Sequence, residues 1–117
     1  MPRFMLLAYD DPATLGDIAP DEMQRIVERY IAWTERLAAG GHLLQSDKLV
    51  DGAGRRVTRR AGELAVRDGP FAESREVLGG FWLLRADDYD HAVRLAADCP
   101  HTEFGELEVR EVEELDS

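Results

Sequence analysis

Asp68-Gly69-Pro70-Phe71-Ala72-Glu73-Ser74-Arg75-Glu76-Val77-Leu78-Gly79-Gly80-Phe81-Trp82-Leu83-Leu84 runs from a polar, turn-forming half directly into an apolar half. Proline lacks a backbone N–H, fixes its own φ and drives the residue before it out of the helical region, so Gly69-Pro70 is a forced turn. The Asp68 carboxylate is placed to accept from backbone N–H groups of that turn. Gly79-Gly80 permits positive φ, or the close approach of another backbone, where the loop re-enters a sheet. Phe81 to Leu84 is apolar at consecutive positions, which in a strand means burial on both faces.

A second strand of the same kind opens the chain. Phe4, Met5, Leu6, Leu7 and Ala8 follow one another without a polar interruption, and Tyr9 ends the run. Residues 10 to 19 carry loop chemistry. Pro20, Asp21 and Glu22 then mark a helix start, with acidic side chains at the positive end of the dipole. Ile26, Val27, Tyr30, Ile31, Trp33, Leu37 and Ala38 recur near a 3.6 period, and Gly40-Gly41 stops the helix. Residues 42 to 50 read as a strand. Two short segments, 56–59 and 63–67, form a hairpin leading to the forced turn. After the strand at 80–86, Asp87 is placed to cap a second helix over 88–98, which Cys99-Pro100 ends. A last strand covers 106–112, with Leu107 and Val109 on one face and Val112 out of phase, which a bulge would accommodate. The order is strand, helix, strands, strand, helix, strand, an α+β chain whose two helices lie on one face of a sheet.

The 117 residues suit one domain spanning 1–117, with 44% apolar and 32% charged residues. Cys99 stands alone, so no intramolecular disulfide forms, and no Cys/His spacing suits a structural zinc site. The apolar run at the amino end is too short for a signal peptide or a membrane span, which points to the cytoplasm. A net charge of −10 repels nucleic acid and anionic membranes. Charge is uneven, however: Arg55, Arg56, Arg59 and Arg60 cluster, while the carboxyl end is acidic from Glu103 to Asp116. The cluster is either a solvated hairpin that meets acidic surface or an anion-binding patch.

Two helices cover one face of such a sheet, yet residues 4–8 and 81–84 are apolar on both. The second face needs a cover, and a second copy of the chain related by a two-fold is the commonest one.

No nucleophile elbow, phosphate loop or dinucleotide fingerprint is present, and no cofactor or metal is implied. Polar residues at strand ends and loops remain. Tyr9 is a half-buried strand end or a pocket wall. His101, beside Pro100 and near Glu103, is a loop histidine or a general base, with Asp68 the other catalytic candidate. Glu73, Arg75 and Glu76 pin the loop as ion pairs, or Arg75 grips a ligand carboxylate. The ligand-binding set is thus Tyr9, Asp68, Arg75 and His101. His42 suits the negative end of the first helix, His91 is expected on an exposed face, and Cys99 is expected as a small buried residue. A metal held by His42, His101 and acidic residues is a further possibility to test.

The pattern DGPF-x-E-S-x-E-x-LGG-F over Asp68 to Phe81 resembles the DGPF group of the YCII-related family. The opening at residues 1–9, the helix from Asp21 and the ending from Cys99 to Val112 are similar too, so the resemblance spans nearly the whole chain. It implies a ferredoxin-like subunit paired into a dimeric α/β barrel, a fold shared with lactone isomerases and small monooxygenases. The functional expectation is a small-molecule-binding homodimer with isomerase- or lyase-like proton transfer. The alternative is a non-catalytic accessory or regulatory protein acting through a protein partner and linked to transcription. The family's suspected catalytic His–Asp pair falls on Tyr30 and Cys99 here, with Asp98 one place off, so that pair is not carried over.

Overall fold

The computed structural model describes residues 1–11, 16–50, 52, 54–68 and 76–115. β1 (Arg3–Asp10) leads to α1 (Pro20–Ala39) and β2 (Leu43–Lys48). The hairpin of β3 (Arg55–Arg60) and β4 (Glu63–Asp68) follows, then β5 (Val77–Arg85), α2 (Tyr89–Ala97), a single 3₁₀ turn (Pro100–Glu103) and β6 (Glu106–Val112). One antiparallel sheet has the order β2-β5-β1-β6, and β3 pairs with β4 in a separate ribbon. With the hairpin set aside, the sheet strands stand second, third, first, fourth. This is the expected ferredoxin-like α+β arrangement.

The two apolar strands lie side by side at the centre, Met5 opposite Leu83, Leu6 opposite Trp82 and Leu7 opposite Phe81. Phe4, Leu6 and Leu84 point to the helical side and are fully buried there with Trp33 and Leu37 of α1 and Ala92 and Ala96 of α2. Each large side chain so buried contributes about 1.5–3 kcal/mol. Trp33 and Trp82 meet edge to face at 5.0 Å, and both indole N–H groups find acceptors, Leu95 O and Thr34 Oγ1, each at 3.2 Å. Met5, Leu7, Phe81 and Leu83 alternate onto the opposite face. Among the described residues neither helix covers that side, and these side chains stay partly exposed.

The termini of α1 follow the sequence: Pro20 occupies the first turn, and Gly41 at φ +79° closes the helix as His42 N–H reaches Leu37 O at 2.9 Å. Three local expectations are corrected. Asp88, not Asp87, caps α2, its carboxylate accepting from His91 N–H at 2.8 Å, because the helix begins one residue later than the sequence suggested. His91 is 18% exposed rather than open to solvent, since its ring packs edge-on against His42 at 5.2 Å. No bulge forms at Val112, where the β1–β6 register is unbroken. Register shifts lie instead between Leu43 and Gln45 against β5 and between Ala8 and Tyr9 against β5, the latter where Gly79 is passed over; a glycine accepts that kink at low cost.

The β3–β4 hairpin turns through Ala61 and Gly62, both at positive φ, as a two-residue hairpin loop requires. Every residue of β3 is exposed, and in β4 Ala65 alone is partly shielded. The radius of gyration is 16.4 Å, against about 13 Å for a compact chain of this length. A ribbon standing away from the body accounts for the excess.

Replacing Leu84 with Ala leaves a cavity where both helices meet the sheet and is expected to cost about 2–5 kcal/mol, read as a lower urea midpoint with unchanged slope.

Candidate functional site

Pro100 starts the 3₁₀ turn, and Cys99 O accepts from both the backbone N–H and the hydroxyl of Thr102, at 3.2 and 2.9 Å. The turn carries His101 inward until it is 3% exposed, the one fully buried side chain of polar type among the described residues. Its Nε2 lies 2.7 Å from the main-chain oxygen of Tyr9. A carbonyl can only accept, so Nε2 bears the hydrogen. Nδ1 of the neutral ring is then an acceptor, and the Tyr30 hydroxyl, 2.8 Å away, donates to it. The Asp10 carboxylate lies 3.7 Å from Nε2. Tyr30, His101 and Asp10 therefore form a line from the half-buried face of α1 to the end of β1.

Burial raises the Tyr30 pKa strongly, and the fields of Cys99 and Asp10 add to it, so the phenol holds its proton at neutral pH. Its ring stacks parallel to Trp82 with centroids 6.3 Å apart. Thr34, one turn along α1, donates to Tyr30 O at 2.8 Å and accepts from Trp82. Arg29 on the same helix pairs with Glu103, tying the 3₁₀ turn to α1.

Two glycines make room for the line. A Cβ at Gly79 would overlap the Asp10 carboxylate. One at Gly105 would overlap Tyr9 O and come within 2.9 Å of His101 Nε2. Neither glycine has positive φ, so space rather than backbone freedom requires them.

Of the residues singled out in the sequence, Tyr9 and His101 come together, through the Tyr9 main chain. The Tyr9 phenol points to the open sheet face, where it donates to Glu108 at 3.3 Å; desolvation and that carboxylate raise its pKa. Asp68 lies apart at the end of β4, its carboxylate 3.0 Å from Arg55. Glu73 and Arg75 lie outside the described residues. Glu103 engages Arg29 and not the imidazole. The His42 ring donates to Arg85 O at 3.2 Å, away from His101, and no group of three or more metal-ligating side chains gathers among the described residues. Cys99 is buried, and burial pushes its thiol up to about 11.

Tyr30 and Asp10, which the structure brings beside His101, were not among the sequence candidates. Their signal is faint: a tyrosine on the buried stripe of a helix, and an acid at the end of an apolar strand. The positions of the suspected His–Asp pair, Tyr30 and Cys99, do pack in one cluster beside His101. Val77, which lies within the pattern from Asp68 to Phe81, pairs with Asp10 at the end of this line. A cleft of about 230 Å³ between α1 and α2 is bounded by Trp33, Arg36, Leu37, His42, Leu95 and Asp98, and does not reach His101.

The profile of the YCII-related domain matches residues 2–116. An uncharacterized protein of Rhizobium meliloti (strain 1021) is 31% identical over 110 residues, covering 92% of this chain and 89% of that protein. Among solved structures, the 5-chloro-2-hydroxyhydroquinone dehydrochlorinase of Burkholderia phenoliruptrix AC1100, in complex with 2,5-dihydroxybenzoquinone, superposes with a TM-score of 0.56 at 15% identity. That likeness covers 95% of this chain and 93% of the dehydrochlorinase, and it shows a common fold.

Two measurements check the site. Long-range ¹H–¹⁵N spectra at neutral pH are expected to show His101 as the Nε2–H tautomer, and Tyr30→Phe to cost about 1–3 kcal/mol by leaving Nδ1 without a donor. The Cys99 thiol ionises near 9 when unfolded and near 11 when folded. Stability is therefore full below pH 9 and falls as pH rises toward 11, by about 2–3 kcal/mol relative to Cys99→Ala.

Proposed function

We propose, from the premise that this chain belongs to the YCII-related family, that it is a small-molecule-binding homodimer that moves a proton on its ligand through Tyr30 and His101. The observation that carries this reading is the buried line in which Tyr30 donates to His101 Nδ1 while Nε2–H is held by Tyr9 O beside Asp10.

A ligand C–H or O–H proton passes to the Tyr30 oxygen as the phenol proton moves to Nδ1. The imidazolium that results keeps its Nε2–H on the Tyr9 carbonyl, with the Asp10 carboxylate 3.7 Å from the same nitrogen. The reverse transfer returns the proton to the ligand, at the same atom or a neighbouring one, which is isomerisation or the proton half of an elimination. Tyr30 is the catalytic group facing the ligand; His101 and Asp10 act behind it. The phenol's raised pKa suits an acid that releases its proton only as another arrives.

Three further points support the reading. The dehydrochlorinase with the same fold was solved with a small hydroxylated quinone, a ligand of the size and acidity that a tyrosine–histidine pair would serve. The stripe of Met5, Leu7, Phe81 and Leu83 is the face we assign to the two-fold contact, since no helix covers it among the described residues. The single buried cysteine fits one domain working in a reducing cytoplasm.

Native mass spectrometry of the protein purified gently from its host, followed by thermal shift with any co-purified compound and with 2,5-dihydroxybenzoquinone as a probe, tests this. The expected result is a dimer whose Tm rises with the compound, and a Tyr30→Phe variant that keeps the shift but loses turnover by about 10²–10⁴-fold. An empty dimer whose Tm no compound moves would overturn it and turn the search to protein partners.

A further inference from the structure

We infer that the β3–β4 hairpin is an arm that docks on a second copy of this chain, its arginines against the acidic rim of the partner's β6. The inference rests on the homodimer proposed above and goes beyond it, because the sheet-face contact needs no arm.

A two-stranded ribbon alone is marginal in water, and this one has little of its own to hold it. Val57 and Val66 stand opposite each other, with Leu64 along the same side opposite Arg59. The three apolar side chains are 63%, 53% and 59% exposed for Val57, Val66 and Leu64. One face of the ribbon thus carries an apolar patch, flanked by Arg55 and Arg59, with no core beneath it among the described residues.

Charge identifies the occupant. Residues 55–68 hold five arginines against Glu63 and Asp68, in a chain whose net charge is −10. The acidic complement is on the same molecule, at the edge strand β6. Glu106, Glu108 and Arg110 alternate with inward Leu107 and Val109 and so project on the open face, opposite Tyr9, Leu7 and Met5, with the two carboxylates outnumbering the one guanidinium. Glu113 and Glu114 follow the strand. A chain with a basic, partly apolar arm and an acidic sheet edge is complementary to itself, which a two-fold contact satisfies twice. A nucleic acid or an acidic membrane would meet the arm but be repelled by the remainder of the surface.

Sedimentation equilibrium at low and high salt reads the test. Wild type is expected to be a dimer that loosens with salt. Arg55→Glu/Arg59→Glu, on the same ribbon face as Val57, is expected to weaken it at least tenfold, Val57→Asp likewise, and both without lowering the Tm of the body. Glu106→Arg/Glu108→Arg should weaken it similarly. Combining the two charge reversals in one chain should restore the dimer, which a merely misfolded ribbon could not do. A dimer unaffected by the arm changes would overturn the docking and leave the homodimer standing, as would failure of the combined reversal to restore it. A monomeric wild type would overturn both.

Discussion

The pairing of β1 with β5 is the constraint on which the remainder of the molecule depends. It sets Leu6 against Trp82 and Phe4 against Leu84 on one side, and Met5 against Leu83 and Leu7 against Phe81 on the other. A one-residue slip would exchange the two sets, bringing the stripe that is now uncovered under the helices and turning the present core outward. The bulge at Gly79 does slip the register, but only at the very end of the pair, beyond the last core residue, Ala8. There it no longer serves packing and instead sets Asp10 beside the histidine.

The site follows from the same geometry. Each of its components is supplied by an element whose position the core fixes: the Tyr9 carbonyl and Asp10 by the end of β1, Tyr30 by the middle of α1, His101 by a turn tied to that helix through Arg29 and Glu103. Gly105 lets the turn pass directly beneath the imidazole. A buried imidazole with a partner on each ring nitrogen is held in one orientation, so its place between Tyr30 and the Tyr9 carbonyl is built into the fold.

The fold was legible because its determinants are local. Consecutive apolar residues at 4–8 and 81–84, the 3.6 periodicity from Met23 to Ala38, and the stops at Gly40-Gly41 and Cys99-Pro100 each act within a few residues. The capping of α2 was read one residue early, since Asp87 and Asp88 are equivalent by type and only the backbone distinguishes them. The site was legible in part. His101 was visible as a candidate, but its partners are a phenol 71 positions away and a main-chain carbonyl 92 positions away. A carbonyl has no residue type, so no search of side chains can find it. Asp68 stood out by its motif, and its carboxylate lies 3.0 Å from Arg55 at the end of the ribbon.

The chain has two tryptophans, and the fold places them in contact, Trp33 on Trp82 at 5.0 Å, with the Tyr30 ring stacked on the second. All of the indole emission of this protein therefore arises from one spot in the layer between helix and sheet, next to the half-buried Tyr30 phenol. Unfolding separates the two rings, whereas an absorbing aromatic molecule seated at Tyr30 would draw excitation energy from both at once. The core's largest aromatic contact is thus also a built-in optical probe, needing no label, of whether the interior is assembled and whether anything has come to rest against it.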